Sequence, residues 1–180
     1  VVANALIDNG IEAVAIAFMH TYANAAHERQ AAELLKTLMP KLYITKSAEV
    51  CPEIREYERT STAVANAYVQ PLMDGYLLRM QEKLKALGFR GALCLMTSGG
   101  GLTSVETART FPVRLVESGP AGGSVFAAQI AAKLGEHKVL AFDMGGTTAK
   151  VSLIEDFRSE TSRVFEVDRA ARFLKGSGLP

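Results

Sequence analysis

Three stretches of this chain combine glycine with hydroxyl side chains: Ser98-Gly-Gly-Gly101, Ser118-Gly-Pro-Ala-Gly-Gly123 and Asp143-Met-Gly-Gly-Thr-Thr148. Glycine lets backbone amides come close to an anion, and serine or threonine adds further donors. The chemistry these types serve best is phosphate binding. None of the three follows the Gly-x4-Gly-Lys-Ser/Thr or the Gly-x-Gly-x-x-Gly pattern, so neither familiar nucleotide loop is present. A single glycine pair reads equally well as a turn. Three such loops within a short span, each leaving an apolar segment, point further.

The Asp143–Thr148 loop is the most specific. It lies between two apolar strands and is expected to form a hairpin-like turn. Such a turn aims the amides of Gly145, Gly146 and Thr147 at one place, and Thr147 and Thr148 can donate hydroxyl hydrogen bonds there. Asp143 is expected to end a buried strand, where an unpaired carboxylate is costly. A magnesium ion relieves that cost, because Mg²⁺ prefers oxygen ligands. Hydrogen bonds from the turn amides to Asp143 would relieve it too. The second loop is expected to open a helix, with Pro120 at the first helical position and Ser118 or Gly119 as its cap. Free amides and the dipole of a helix start favour an anion. Small residues at Ala121, Gly122 and Gly123 suit close helix packing equally well. Ser98–Gly101 is either a substrate-facing loop or a flexible bend.

Strands and helices must position these loops. Apolar runs predict strands at Ala13–Phe18 and Leu42–Thr45, joined by a helix through Ala31, Leu34, Leu35, Leu38 and Met39 that Pro40 stops. That order suggests a βαβ crossover. Arg55–Leu87 reads as one long helix or two joined ones, with Val64, Tyr68, Leu72, Leu77, Met80, Leu84 and Leu87 near one face. Pro71 is expected to kink or break it, and Gly88 to end it. Further on, strands are predicted at Ala92–Met96, Val113–Val116, Val139–Phe142, Ala149–Ile154 and Thr161–Val167, with helices at Ser104–Arg109 and Ser124–Leu134.

The 180 residues carry 20 Lys+Arg against 19 Asp+Glu, a net charge of +1, with no long basic run, which disfavours a nucleic-acid partner. With 48% hydrophobic and 22% charged residues the chain is ordinary for a soluble globular protein, and its length allows one domain or two small lobes. Its apolar runs are too short to cross a membrane. Cys51 and Cys94 are too far apart in sequence for a zinc motif and are expected to be reduced, Cys94 as inert core. With no signal-peptide pattern at the start, the expected compartment is the cytoplasm. Val1 in place of Met, a chain opening on what reads as the last turns of a helix, and a close in Lys175-Gly-Ser-Gly-Leu-Pro180 lead us to expect a piece of a longer protein.

Val139-Leu-Ala-Phe-Asp-Met-Gly-Gly-Thr-Thr-Ala-Lys-Val-Ser-Leu-Ile154 resembles the second phosphate loop of the actin, sugar-kinase and heat-shock-chaperone ATPases. The Val113–Gly123 segment and its helix resemble that superfamily's first connecting segment. Taken with Glu58-Arg-Thr-Ser-Thr62, Ala67-Tyr68, Pro71, Ser98-Gly-Gly, His20-Thr-Tyr-Ala-Asn24, His27-Glu28 and Gly176–Pro180, the chain is similar to the hydantoinase A / oxoprolinase family over nearly its whole length. The resemblance implies a partial ribonuclease-H-like (actin-like ATPase) α/β fold, a mixed sheet with flanking helices. Residues 1–136 would be the later part of a first lobe and 137–180 the start of a second. It implies ATP and Mg²⁺ as cofactors and ATP-dependent opening of a cyclic amide, hydantoin or 5-oxoproline, by phosphorylation of the amide oxygen. Gly145, Gly146, Thr147 and Thr148 would hold phosphate, and Ser118, Gly119 and Gly122 would also bind the cofactor, from a loop at the hinge between lobes. Asp143 would be the catalytic residue and organise the metal. A second, hydantoinase B-like subunit and a homo- or hetero-oligomer are implied as well, and the isolated piece is expected to be inactive. Many relatives carry Asp where this chain has Lys150. That lysine either contacts phosphate or faces solvent.

Three other readings compete: a subunit of an ATP-dependent ketone carboxylase, a nucleotide-gated binding module, and an α/β domain with glycine turns and no nucleotide site. His20 and His27 lack a third ligand for a metal site. His27 and Glu28 are expected to serve a helix start, and Glu56 with Arg59 to form a solvated pair at i, i+3.

Overall fold

The computed structural model describes residues 1–146 and 148–161, with the backbone of two short strands, Phe165–Glu166 and Gly178–Leu179. The described chain divides into two compact units, one centred on Val1–Phe89 with Arg109–Val113, the other on Arg90–Ala108 with 114–161.

In the first unit, helix α1 (Val2–Asp8) stops at Gly10, whose φ is +63°. Strand β1 (Ala13–Ile16), helix α2 (Ala26–Leu38) and strand β2 (Tyr43–Lys46) form the expected βαβ unit, with β1 and β2 parallel and Ala13 opposite Tyr43. One turn, α3 (Ser47–Val50), then leads to α4 (Glu56–Ala86). Helix α4 is continuous for 31 residues with Pro71 inside it, so Pro71 does not break it. It ends as expected, with Gly88 at φ +85° and the Gly88 and Phe89 amides returned to Lys85 and Leu84 carbonyls.

The buried face of α4 is not the apolar one. Val64, Tyr68, Leu72 and Leu87 are exposed, whereas Arg59, Thr62, Ala63, Asn66, Ala67, Gln70 and Leu77 are buried. These recur at i, i+3 and i+4, so small and polar residues form the seam that faces β1 and β2. Hydrogen bonding explains the choice. The guanidinium of Arg59, wholly buried, donates from Nε to Ser47 Oγ at 3.2 Å, from Nη1 to the Glu53 carbonyl at 2.7 Å and from Nη2 to the Phe18 carbonyl at 3.1 Å. It also pairs with Glu56, so the expected solvated pair has one member in the core. Glu28, equally buried, accepts from the Phe18 amide at 3.1 Å, the Ser47 hydroxyl at 2.5 Å and the Ala48 amide at 3.0 Å.

Two turns along α4 from Arg59, Asn66 donates to Thr45 Oγ1 at 2.9 Å and to the Thr110 carbonyl at 3.0 Å, and accepts from the Val113 amide at 3.2 Å. Gln70 accepts from Thr45 and donates to the Arg109 carbonyl, both at 3.3 Å. Asp74 then accepts from Tyr43 Oη at 2.9 Å and Arg109 Nε at 2.5 Å. Burial alone would raise the Asp74 carboxyl, but the Arg109 and Tyr43 hydrogen bonds outweigh it and hold the group below the usual range. The same bond to Asp74, with burial, pushes the Tyr43 phenol up. Val50, Cys51, Ala63 and Val113 form a small apolar core beside this seam, and burial pushes the Cys51 thiol up.

In the second unit, β3 (Cys94–Met96) and β4 (Leu102–Ser104) form an antiparallel hairpin, followed by α5 (Val105–Thr110). Cys94 is exposed, not core. The strand expected at Val113–Val116 is instead a 3₁₀ turn, Pro112–Leu115. Its polar backbone is satisfied outside any ladder, since the Ser98 amide and hydroxyl both donate to the Arg114 carbonyl, at 2.8 and 3.0 Å. Helix α6 (Ser118–Leu134) begins two residues before Pro120, the expected first helical residue, and takes in the whole Ser118–Gly123 loop. Strands β5 (Lys138–Met144), β6 (Ala149–Glu155) and β7 (Arg158–Ser159) form an antiparallel meander packed on α6. The strand expected at Thr161–Val167 survives in the described residues as β8 (Phe165–Glu166), which pairs with β9 (Gly178–Leu179) and belongs with it to the first unit.

Two predictions follow from the seam. Arg59→Leu strips donors from one buried and two part-buried acceptors, leaves Glu56 without its buried partner, and should lower unfolding free energy by about 3 kcal/mol. Tyr68→Ala on the exposed face should stay within about 0.5 kcal/mol, both read by urea denaturation. Because the Asp74 carboxyl is lowered, its stabilisation is present above the ordinary carboxylate pKa and is lost as pH falls through the lowered value. Melting temperature should therefore drop below about pH 4 in the parent and drop less in Asp74→Asn.

Candidate functional site

All three glycine-rich loops lie in the second unit: the first packs on α6, the second opens it, and the strands that flank the third pack against it. The Ser98–Gly101 loop is the tight turn of the β3–β4 hairpin, closed by the Thr97 amide on the Gly101 carbonyl at 2.8 Å. Gly100 there has φ +79°, and a Cβ on it would stand 3.0 Å from Val125 Cγ2 of α6. Gly122 of α6 faces Met96 of β3, with Cγ 3.5 Å from a Cβ placed on the glycine. Gly122 thus serves packing. The Ser98–Gly101 loop is thus a hairpin turn packed on α6.

The second loop is the opening of α6 itself. Its cap is Glu117, in the left-handed region at φ +64°, rather than Ser118 or Gly119, and Pro120 is the third helical residue rather than the first. Pro120 still lies in the first turn, where a missing N–H costs nothing. Gly119 and Gly123 have no atom within 4 Å of an added Cβ, and neither has positive φ.

The third loop closes the β5–β6 hairpin, with the Gly145 amide on the Thr148 carbonyl at 3.0 Å. Gly145 and Gly146 also have open space where a Cβ would stand. Thr147 lies outside the described residues. Strand register sets the faces. Val139 opposes Ile154, Ala141 opposes Ser152 and Asp143 opposes Lys150, so these three pairs share the face packed on α6. The opposite face carries exposed Leu140, Phe142, Met144, Val151 and Leu153.

Lys150 pairs with Glu117, the residue that caps α6. It neither faces free solvent nor stands unpaired, and it ties the hairpin to the helix start. A second link is Ser124 Oγ to Ser159 Oγ at 2.5 Å. Asp143, beside this ion pair, is exposed rather than at the end of a buried strand, so desolvation gives it no need of a metal. Among the described residues its side chain has no hydrogen bond or ion pair, and no group of three His, Cys, Asp or Glu side chains surrounds it. One free carboxylate beside glycine amides does not make an all-protein metal cage. It does fit Mg²⁺, which is held by one or two carboxylates together with phosphate and water.

Glu117 was not legible as a site residue. Its only signal was its place directly before Ser118-Gly-Pro, and nothing in the sequence pairs it with Lys150. No helix among the described residues is long and apolar enough to cross a membrane.

An uncharacterized protein of Methanocaldococcus jannaschii is 42% identical over 172 residues, 94% of this chain and 25% of its own length. The caprolactamase alpha subunit of Pseudomonas jessenii is 34% identical over 153 residues, 85% of this chain and 22% of its own. Among solved structures, nucleotide-free acetone carboxylase, described for ATP-dependent acetone carboxylation, superposes with a TM-score of 0.79 at 25% identity, covering 98% of this chain and 24% of the other. The chain spans about a quarter of the length of these relatives. A hydantoinase/oxoprolinase family model matches residues 59–175, and the model of that family's N-terminal region matches 1–39. The chain belongs to the hydantoinase/oxoprolinase family.

Proposed function

We propose that this chain carries part of the nucleotide site of an ATP-dependent enzyme that opens a cyclic amide of the hydantoin, 5-oxoproline or lactam type. The observation that carries the reading is the joining of the Asp143–Thr148 hairpin to the start of α6 through Lys150 and Glu117. It puts two sets of glycine amides, at Gly145–Gly146 and at Ser118–Gly119, on elements held together by one ion pair. The glycines at 119, 123, 145 and 146 answer to no neighbour within the described chain. Close approach of a phosphate explains them.

On this reading Gly146, Thr147 and Thr148 donate to phosphate, Gly145 lets the backbone approach it while its own amide closes the turn, Ser118 and Gly119 offer the free amides of the helix start, and Asp143 would hold Mg²⁺ directly or through its waters. ATP, as co-substrate, supplies the phosphoryl group that activates the amide oxygen before water opens the ring. The protein's part is positioning and charge neutralisation. Lys150 is a positioning residue, because its charge is spent on Glu117. The parent fold is a ribonuclease-H-like ATPase, with 1–136 in its first lobe and 137–180 opening its second. It works in the cytoplasm with a second, hydantoinase B-like subunit, consistent with a relative named as the alpha subunit of caprolactamase.

A ketone carboxylase is the second reading, favoured by the likeness to acetone carboxylase. The full-length protein, with its partner subunit, separates the two. ATP hydrolysis should rise with hydantoin, 5-oxoproline or caprolactam, and Asp143→Asn should abolish the rise. Stimulation by acetone with bicarbonate alone would select the carboxylase. Flat turnover in every case, unaffected by the variant, would remove the enzyme reading.

Gly119→Ala gives a separate check. It should stabilise the protein by about 0.4–1 kcal/mol, because alanine suits a helix and meets no neighbour there. It should nevertheless weaken ATP binding. A stabilised variant with unchanged ATP affinity would detach the start of α6 from the nucleotide.

A further inference from the structure

The carboxyl edge of the parallel pair β1–β2 gathers side chains that the proposed nucleotide site leaves unused. His20 and Tyr22 follow β1, Glu56 and Arg59 open α4, and they meet there. Ligands of open α/β sheets are received at this edge of the strands.

His20 has φ +57°, uncommon for a residue with a side chain. Its amide donates to Glu56 Oε1 at 3.0 Å, and its carbonyl accepts from the Ala23 and Asn24 amides at 3.0 and 3.3 Å. The backbone so held turns the imidazole outward, 71% exposed, beside a Glu56 side chain that is 32% exposed. Imidazole Nδ1 stands 3.8 Å from Glu56 Oε1, too far for a hydrogen bond between them, so both keep capacity for a third group. The other Glu56 oxygen pairs with Arg59, whose remaining donors are committed to Ser47, Glu53 and Phe18. Glu56 is therefore anchored from below, and its upper oxygen lies next to an imidazole that can donate. The Tyr22 ring flanks the pair, with its centroid 6.0 Å from that of His20 and 5.6 Å from the Arg59 guanidinium carbon.

An imidazole N–H beside a carboxylate oxygen is a donor–acceptor pair. A small-ring amide is held cis and shows its carbonyl and its N–H along one edge, the complementary pattern. A ketone offers only the acceptor. We propose that His20 and Glu56 form a binding site for a cyclic amide, with the imidazole donating to the amide oxygen, Glu56 accepting from the ring N–H, and Arg59 as the positioning residue. This deepens the amide-opening reading and rests on it for the identity of the ligand.

The test uses the full-length protein with histidine labelled at ¹³Cε1, the His20 signal being assigned by its loss in His20→Gln. Caprolactam and hydantoin should shift that signal, whereas acetone and ATP alone should not. Glu56→Gln should raise the KM for caprolactam about tenfold or more while leaving the KM for ATP unchanged. Glu56→Asp should recover most of the loss, and His27→Gln, an exposed histidine on α2, should behave as the parent. Should Glu56→Gln fail to fold, the exposed His20→Gln carries the same KM comparison. A His20 signal indifferent to every amide would overturn the site, as would equal effects on the KM for ATP and for caprolactam. An equal response to acetone would overturn the donor–acceptor match. If the His20 signal responds to amides but no amide stimulates ATP turnover, the binding site stands and the amide-opening reading falls.

Discussion

Arg59 is a full charge with no exposed surface, and the first unit is arranged around it. A buried guanidinium must have each N–H answered, or the cost of removing it from water is not offset. Here the Phe18 and Glu53 carbonyls, Ser47 and Glu56 answer it. Those acceptors come from the loop after β1, the segment after α3 and the first turn of α4. Satisfying one side chain thus sets the path of three connections. Glu28 does the same from the other side, taking the Phe18 and Ala48 amides and the Ser47 hydroxyl.

The same logic continues down α4. Asn66, Gln70 and Asp74 each bind backbone or side chains of β2 or of Arg109–Val113. A segment tied by its amides and carbonyls to helix side chains has no need of a sheet ladder. That is why the apolar run at Val113 became a 3₁₀ turn. Directional polar contacts give α4 its seating, and the apolar core beside them is small.

Loop geometry in the second unit depends on a smaller device. Lys150 reaches from β6 to Glu117, and Gly122 lets β3 come close to α6. The hairpin and the helix start are thereby coupled, although Asp143 itself is exposed and free among the described residues. An available carboxylate beside open glycines is suited to receiving a ligand, since nothing has to be displaced. Glu117, in a left-handed conformation, is the residue on which this arrangement turns.

Local composition was enough to place the strand–helix–strand opening, the end of α4 at Gly88, the Asp143–Thr148 hairpin and the three glycine loops, because glycine, proline and short apolar runs act on their own neighbours. The family was legible for the same reason, since its motifs are contiguous. Periodicity misled wherever it was taken to mark the buried face. Val64, Tyr68 and Leu72 have the spacing of a core stripe yet are exposed, while Arg59, Asn66 and Gln70 look like surface and are buried. Only the tertiary structure could decide this, because the partners of Arg59 lie as far as 41 residues away in the chain. A polar side chain is buried or solvated according to whether such distant acceptors arrive together, and no local pattern records that. The pairing of Lys150 with Glu117, and of His20 with Glu56, is of the same kind.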